Sequence, residues 1–273
     1  MSAAAVAAAV GVAREHGLRV DEPVVLHDLF SLRVLLRPAP VVARVPTWVA
    51  RLLPDRAANI GRELAVVEHL QAQGVPVVPP SAELPPGPHA VDEFTISFWT
   101  YAPPDADRPA TAADCAAMLP GLHAGLATFP GAVPDLVDVV ALPHLVAALD
   151  RAPHRLDAAD VELLRRRAAE FVMPAGGTTV LHGDVHMGNV LWSGGELRWI
   201  DFEEVARGPV EWDVATIGDD AVLTGLDPTR LAACRRLRDL QLALCLAGLD
   251  DVFGDLDGWM DTQQYCLGSL RTQ

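Results

Sequence analysis

One stretch of this chain has residue types and spacings suited to chemistry. It runs Leu181-His182-Gly183-Asp184-Val185-His186-Met187-Gly188-Asn189 and is followed by Trp199-Ile200-Asp201-Phe202-Glu203. Asn189 lies five residues after Asp184, and Asp201 twelve after Asn189. Phosphoryl transfer from a nucleotide needs such a set: a carboxylate to orient the attacking hydroxyl, and an amide oxygen and a second carboxylate to hold metal ions against the phosphates. Local elements must position the three. Thr179-Val180-Leu181 reads as a short apolar strand entering a loop. Asn189 to Trp192 and Glu196 to Ile200 read as two strands joined at Ser193-Gly194-Gly195, a hairpin signal. The hairpin folds Asp201 back beside Asn189, where both can ligate one Mg²⁺, a cation that takes few protein oxygens alongside phosphate and water.

Each residue has a plainer reading. Asp184 alone could make an Asx-turn, but its register with Asn189 and Asp201 argues against that. His182 and His186, four apart, could suggest a zinc pair, which wants a helix to stack the rings on one face. Gly183-Asp184 directly after a strand argues against that helix. Glu203 reads either as an extra metal or substrate contact or as a solvated loop residue.

At these residues the chain resembles the aminoglycoside phosphotransferase family, relatives of the protein kinases that include choline-kinase-like enzymes. The family's H-G-D-x-H-x-x-N loop stands as His182 to Asn189, and its I-D-F/W-E/D segment as Ile200 to Glu203. A third block, Gly208-Pro209-Val210-Glu211-Trp212-Asp213-Val214-Ala215, is similar to the family's G-D/P-x-x-x-D-L-A segment. A weaker likeness extends from about Val24 to about Ala247. The resemblance implies an α+β, two-lobed protein-kinase-like fold. A small antiparallel-sheet N-lobe with one main helix would occupy 1–98, a hinge 99–104, and a larger, mostly helical C-lobe 105–273. It implies that Asp184 is the catalytic base, that Asn189 and Asp201 hold Mg²⁺, that His182 braces the loop, and that Asp213 hydrogen-bonds the loop backbone.

The residues upstream fit that outline. Val24 to Leu26, Leu32 to Leu36 and Val41 to Val45 read as strands, with Pro38-Ala39-Pro40 as a turn, and Phe94 to Trp99 as a further strand. Ala3 to His16 reads as an amphipathic helix closed by Gly17. A second helix is expected over Asn59 to Gln73, set off by Pro54, with Asn59 as cap and Leu64, Val67 and Leu70 on one face. Further helical patterns run over Thr111 to Phe129, with a break or kink at Pro120, and over Leu136 to Leu149, Ala158 to Val172, Pro228 to Val252 and Gly258 to Arg271. By resemblance, Arg44 is the strand cation that faces the nucleotide phosphates, oriented by Glu63, in place of the usual lysine. The plainer reading makes Arg44 an outward strand residue. The loop Leu26 to Arg33 has no glycine with which to cradle phosphates, so Ser31 is the candidate contact there. Trp99 and Tyr101 belong to the expected purine-binding hinge, for ATP or GTP.

Composition narrows the partners. Net charge is −15, with 36 acidic against 21 basic residues, which disfavours nucleic acid and anionic membranes. No apolar run is long enough to span a bilayer, and Met1 to Val12 lacks the basic start of a signal peptide. The four cysteines form no C-x-x-C pair and read as reduced core residues of a cytoplasmic protein. Asp250, Asp251, Asp255, Asp257 and Asp261 crowd together without an evident basic partner. They either draw a cationic acceptor to the site or cap helices and solvate the surface.

The expectation is a Mg²⁺-dependent kinase acting on a hydroxyl of a small, amine-containing molecule: an aminoglycoside or other antibiotic, or a choline- or amino-sugar-type metabolite. No protein partner is inferable. The alternative is a pseudokinase that binds a nucleotide or metabolite without turnover.

Overall fold

The computed structural model describes residues 2–48, 56–217 and 225–272. Helix α1 (Ser2–Glu15) leads into β1 (Val20–Asp28), β2 (Ser31–Pro38) and β3 (Val41–Pro46); α2 (Arg56–Ala72) then precedes β4 (His89–Val91) and β5 (Phe94–Thr100). The five strands form one antiparallel sheet in the order β1-β2-β3-β5-β4. Side chains alternate across a strand, so Leu32, Val34 and Leu36 share a face with Val41, Ala43 and Val45. That face packs against Ala5, Ala9 and Ala13 of α1. Alanines four apart give α1 a smooth stripe that lets its backbone lie close on the sheet. Arg33 and Arg44, which pair across β2 and β3, occupy the opposite face, toward the interior of the molecule.

α2 begins earlier than expected. Asn59 is not its cap: the chain is already helical there, and the Asn59 side-chain oxygen accepts from Arg62 Nη2 at 2.9 Å. Pro54 lies outside the described residues. The short β4 was not anticipated.

The rest of the chain is mostly helical. α3 (Ala112–Leu126), α4 (Leu136–Val140), α5 (Leu142–Arg151) and α6 (Ala158–Glu170) come first. Four short strands follow: β6 (Thr179–Leu181), β7 (Val190–Ser193), β8 (Glu196–Trp199) and β9 (Ala206–Gly208). Then come α7 (Glu211–Ile217), α8 (Pro228–Gly248), α9 (Asp250–Phe253) and α10 (Trp259–Thr272). α3 opens with a capping box between Thr111 and Asp114 and passes through Pro120 as one helix. The helix expected over 136–149 is split, because Ala141 takes a left-handed φ of 49° and Pro143, with no backbone donor, starts α5. The helix expected over 228–252 likewise divides at Leu249, between α8 and α9. Leu240, Ala243, Leu244 and Ala247 of α8 form the spine of this half, packed among α5, α6 and α10. Among the described residues no helix is long and apolar enough to cross a membrane.

The two halves meet where Val66, Val67 and Leu70 of α2 pack on Leu119, Leu122 and Leu126 of α3, at the charged cleft described below, and at an aromatic seam. Phe30, in the turn between β1 and β2, has its ring 6.3 Å from Phe253 and 6.2 Å from Trp259, and Trp48 lies edge-on to Phe253 at 5.6 Å. Such pairs add to the burial of the rings themselves. Phe253→Ala is therefore expected to destabilise the chain by ~3 kcal/mol, as for other buried aromatic truncations. Urea unfolding measures this, and a change under ~1 kcal/mol would show that the seam carries no weight.

Candidate active site

The loop after β6 is held from several sides. Gly183 has a φ of +92°, and a Cβ on it would lie 2.0 Å from the Glu204 carbonyl oxygen, so a side chain is excluded on both counts. Asp213 of α7, fully buried, accepts from the backbone N–H groups of His182 (3.0 Å) and Gly183 (2.9 Å), and it also contacts His123 Nε2 (2.8 Å). The Trp212 indole donates to the Gly183 carbonyl at 2.6 Å. His182 accepts from the Asp184 N–H at Nδ1 (3.3 Å), which leaves Nε2 to donate to the Ile200 carbonyl (3.1 Å). Burial lowers its pKa, consistent with that neutral tautomer. His182 thus ties the Asp184 loop to the Asp201 hairpin.

Asp184 Oδ1 takes a 2.5 Å ion pair from Arg238 of α8, while Oδ2 accepts from Asn189 Nδ2 (3.0 Å) and faces His186 Nε2 (3.3 Å). Burial opposes its charge, but Arg238 and then His186 outweigh burial and hold the carboxyl below the ordinary range. Asn189 spends its amide nitrogen on Asp184, so its side-chain oxygen is the donor atom left for other use. The β7–β8 hairpin pairs Val190 with Trp199, and the Ile200 N–H bonds the Asn189 carbonyl at 3.0 Å. Asp201 follows at once, in a left-handed conformation with φ 68°, a backbone state an aspartate tolerates better than most residues.

Asp201 is gripped by two guanidiniums. Arg44 Nη2 lies 2.8 Å from its Oδ1 and Arg33 Nη2 2.6 Å from its Oδ2. Arg44 also pairs with Glu63 at 2.6 Å and makes a short contact with Glu203. Glu63 in turn accepts from the Phe202 N–H at 3.1 Å. Burial works against the Arg44 charge, yet Asp201, Glu203 and Glu63 together raise its pKa. Burial pushes the Glu63 carboxyl up to about 7, against the pull of Arg44. Arg44 and Glu63, expected as a pair, are in contact; Arg44 is not an outward strand residue, and Glu203 is not a solvated loop residue.

Arg33, Arg44 and Asp201 line one end of a cleft of about 300 Å³; Val42, Trp99, Tyr101, Leu191 and Phe202 are among its other walls. Ser31 does not line it. Its Oγ is buried without a partner, because Leu29 and Phe30 draw the neighbouring turn onto the helical half. The side chain that reaches the cleft from this part of β2 is Arg33. Sequence reasoning passed over it, although a lone charge between Leu32 and Val34 was a visible signal. It also passed over Arg238 and Gln241, which are three apart on α8 and joined by a 2.9 Å hydrogen bond. The aspartate-rich run has a basic partner after all. Asp250 is buried and accepts from the Arg155 N–H (2.7 Å), and Asp255 pairs with the Arg155 guanidinium (2.6 Å).

Among the described residues no group of three His, Cys, Asp or Glu side chains is arranged to hold a metal ion. The Asn189 side-chain oxygen and the Asp201 carboxylate, at the two ends of the β7–β8 hairpin closed by the Ile200–Asn189 backbone bond, nevertheless suit a hard cation that completes its shell with phosphate oxygens and water.

The fold is protein-kinase-like. Residues 39–243 match the phosphotransferase enzyme family, and the chain belongs to that family. Among solved structures it is similar to choline kinase LicA from Streptococcus pneumoniae, at 13% identity over 96% of this chain and 98% of that one, with a TM-score of 0.66. It is also similar to amicoumacin kinase hAmiN in complex with AMP-PNP, Ca²⁺ and Ami (12%, 96% and 92%, TM-score 0.64). A third likeness is to spectinomycin phosphotransferase APH(9)-Ia with ADP and spectinomycin (12%, 96% and 92%, TM-score 0.56). No curated protein sequence matches the chain.

Behind Asp184, Glu204 has one carboxylate oxygen buried without a partner. Burial, then the charge of Asp184, pushes its carboxyl up to about 8 from an ordinary 4.5, against the pull of Arg238. The folded chain thus keeps a proton that the unfolded chain has released, and stability from this group falls as pH rises from about 4.5 to about 8. Glu204→Gln should therefore be more stable than the wild type at pH 8, with the difference vanishing near pH 4.5. Melting temperatures of both chains across that range test this, and parallel profiles would contradict it.

Proposed function

We propose that this phosphotransferase moves the γ-phosphate of ATP or GTP, with Mg²⁺, onto a hydroxyl of a small amine-containing molecule. The observation that carries the reading is that Arg44 and Asp201 line a nucleotide-sized cleft, while Asn189, bonded to Asp184 through its side chain, is joined through its backbone to Ile200 of the same cleft wall. In this reading Asp184 orients the acceptor hydroxyl and accepts its proton as the bond to phosphorus forms. Its depressed pKa keeps it ionised, and so ready to accept a hydrogen bond at any physiological pH. Asn189 and Asp201 hold the metal, which when bound neutralises charge on the transferring phosphates. Arg44, braced by Glu63, faces the phosphates. The purine lies in the apolar part of the cleft against Trp99 and Tyr101. The amides of Thr100 and Tyr101 are already bonded to Pro79 and Pro40, and Pro103 and Pro104 have none. The Ala102 N–H and the Tyr101 carbonyl are therefore the hinge groups we assign to the purine edge.

For the acceptor, the names of the similar structures support a hydroxylated amine, either a metabolite such as choline or an antibiotic such as spectinomycin. The net charge of −15 suits a cationic ligand. The unpaired cysteines, three of them buried, suit a cytoplasmic protein. A pseudokinase is less well supported, since the base and both metal-binding groups stand together.

The test is phosphate transfer from ATP and GTP, with Mg²⁺, to a panel of hydroxylated amines. Asp184→Asn should lower turnover by ~10²-fold or more, as for a removed positioned base, with nucleotide binding retained. Asp201→Ala should abolish Mg²⁺-dependent transfer. Near-normal turnover in either variant would remove that residue from its role, and no transfer to any acceptor by the wild type would favour the pseudokinase.

A further inference from the structure

The turn between β1 and β2 cannot cradle phosphates as a glycine-rich loop does. It contains no glycine between Leu26 and Arg33. Its tip is also committed elsewhere: Leu29 and Phe30 pack onto the core of the helical half, Phe30 stacks against Trp259, and the Phe30 carbonyl accepts from the Trp48 N–H at 3.1 Å. A turn whose side chains and carbonyl are held in this way is not free to fold down over a nucleotide.

A side chain stands in the vacant role. Arg33 lies three residues after Phe30 and pairs across the sheet with Arg44, so both guanidiniums emerge on the cleft face and reach the same carboxylate from adjacent strands. They differ in what else holds them. Arg44 is almost fully buried (5% exposed) and keeps Glu63 and Glu203 as partners whatever happens to Asp201. Arg33 has 26% of its side chain exposed, and its ion pair is with Asp201. Asp201 cannot give both oxygens to arginines and serve a metal with the same lone pairs. Whatever claims Asp201 therefore frees Arg33, and the nearest uncompensated anion is then the phosphate chain in the same cleft.

We propose that Arg33 is a ligand of the terminal phosphate of the bound nucleotide, replacing with a guanidinium fork the amides that a glycine-rich loop supplies. Without nucleotide it is parked on Asp201, and on binding it exchanges that carboxylate for phosphate oxygens. The fork matches phosphate geometry, whereas a compact ammonium would not. Arg33 pairs across the sheet with Arg44, which lies opposite Ser97, three residues along β5 from Thr100 at the hinge, so both arginines sit away from the hinge. The assignment rests on the nucleotide-binding reading above, but it can be tested without knowing the acceptor.

The experiment compares dissociation constants of Mg·AMP-PNP and Mg·ADP by calorimetry, for the wild type, Arg33→Gln and Arg33→Lys, with melting curves to confirm that each is folded. Loss of one charge-assisted contact should weaken Arg33→Gln binding of the triphosphate analogue by roughly 10- to 100-fold. Its ADP affinity should change less than about threefold on the same reasoning, because only the terminal phosphate loses its partner. Arg33→Lys should recover part of the triphosphate preference. If Arg33 merely positions Asp201, both nucleotides will weaken together, and that result overturns the proposal. So does an unchanged triphosphate affinity in Arg33→Gln. A wild-type chain that binds neither nucleotide overturns the proposed function itself, and this inference with it.

Discussion

A guanidinium as deeply buried as that of Arg44 is tolerable only among carboxylates held in good geometry, because removing a charge from water costs several kcal/mol unless it is paired. The three carboxylates come from distant places: Glu63 from α2, and Asp201 and Glu203 from the segment after β8. Arg44 itself belongs to the sheet. The pairing is satisfied only when sheet, helix and hairpin close on one another, so a single buried cation sets how the two halves meet. Glu63 extends the tie by accepting from the Phe202 backbone, which makes the pair part of the hairpin's own support.

The loop that carries Asp184 is secured by different means. Its backbone donors go to Asp213, its glycine carbonyl takes the Trp212 indole, and His182 bridges it to the Ile200 carbonyl. Hydrogen bonds to the loop backbone fix the loop, while the ion pairs with arginines involve the side chains of Asp184 and Asp201. This separation lets the cleft groups change partners when a ligand enters without loosening the frame beneath them. Arg238 belongs to the changeable set: it occupies one oxygen of Asp184 while joined to Gln241.

The local parts of this arrangement were legible in the sequence. Asp184, Asn189, Asp201 and Asp213 lie within 30 residues of one another, and short loops with a two-glycine turn constrain their positions before any tertiary packing is considered. Arg44 and Glu63 were reachable through likeness to kinase-like chains, since a strand followed by a helix places such a pair. Arg33 and Arg238 were not reached, because their partners are 168 and 54 residues away, and strand or helix periodicity says which face a charge occupies but not which anion it meets. The breaks at Ala141 and Leu249 were missed for a related reason: both interrupt apolar patterns that would satisfy a continuous helix, and packing of the following segment decides the bend. The aspartate run misled in the other direction. A buried Asp250 bonded to Arg155 looks, in sequence, no different from its solvated neighbours.

The aromatic seam has an optical consequence. Of the six tryptophans, Trp212 is sealed inside the helical half, whereas Trp48 and Trp259 sit at the join, close to Phe253 from either side. Any hinge movement that parts the halves at the seam would carry those two indoles from an apolar setting into water while leaving Trp212 unchanged. The chain thus contains an intrinsic fluorescence gauge of its own opening, at a point where no label has to be introduced.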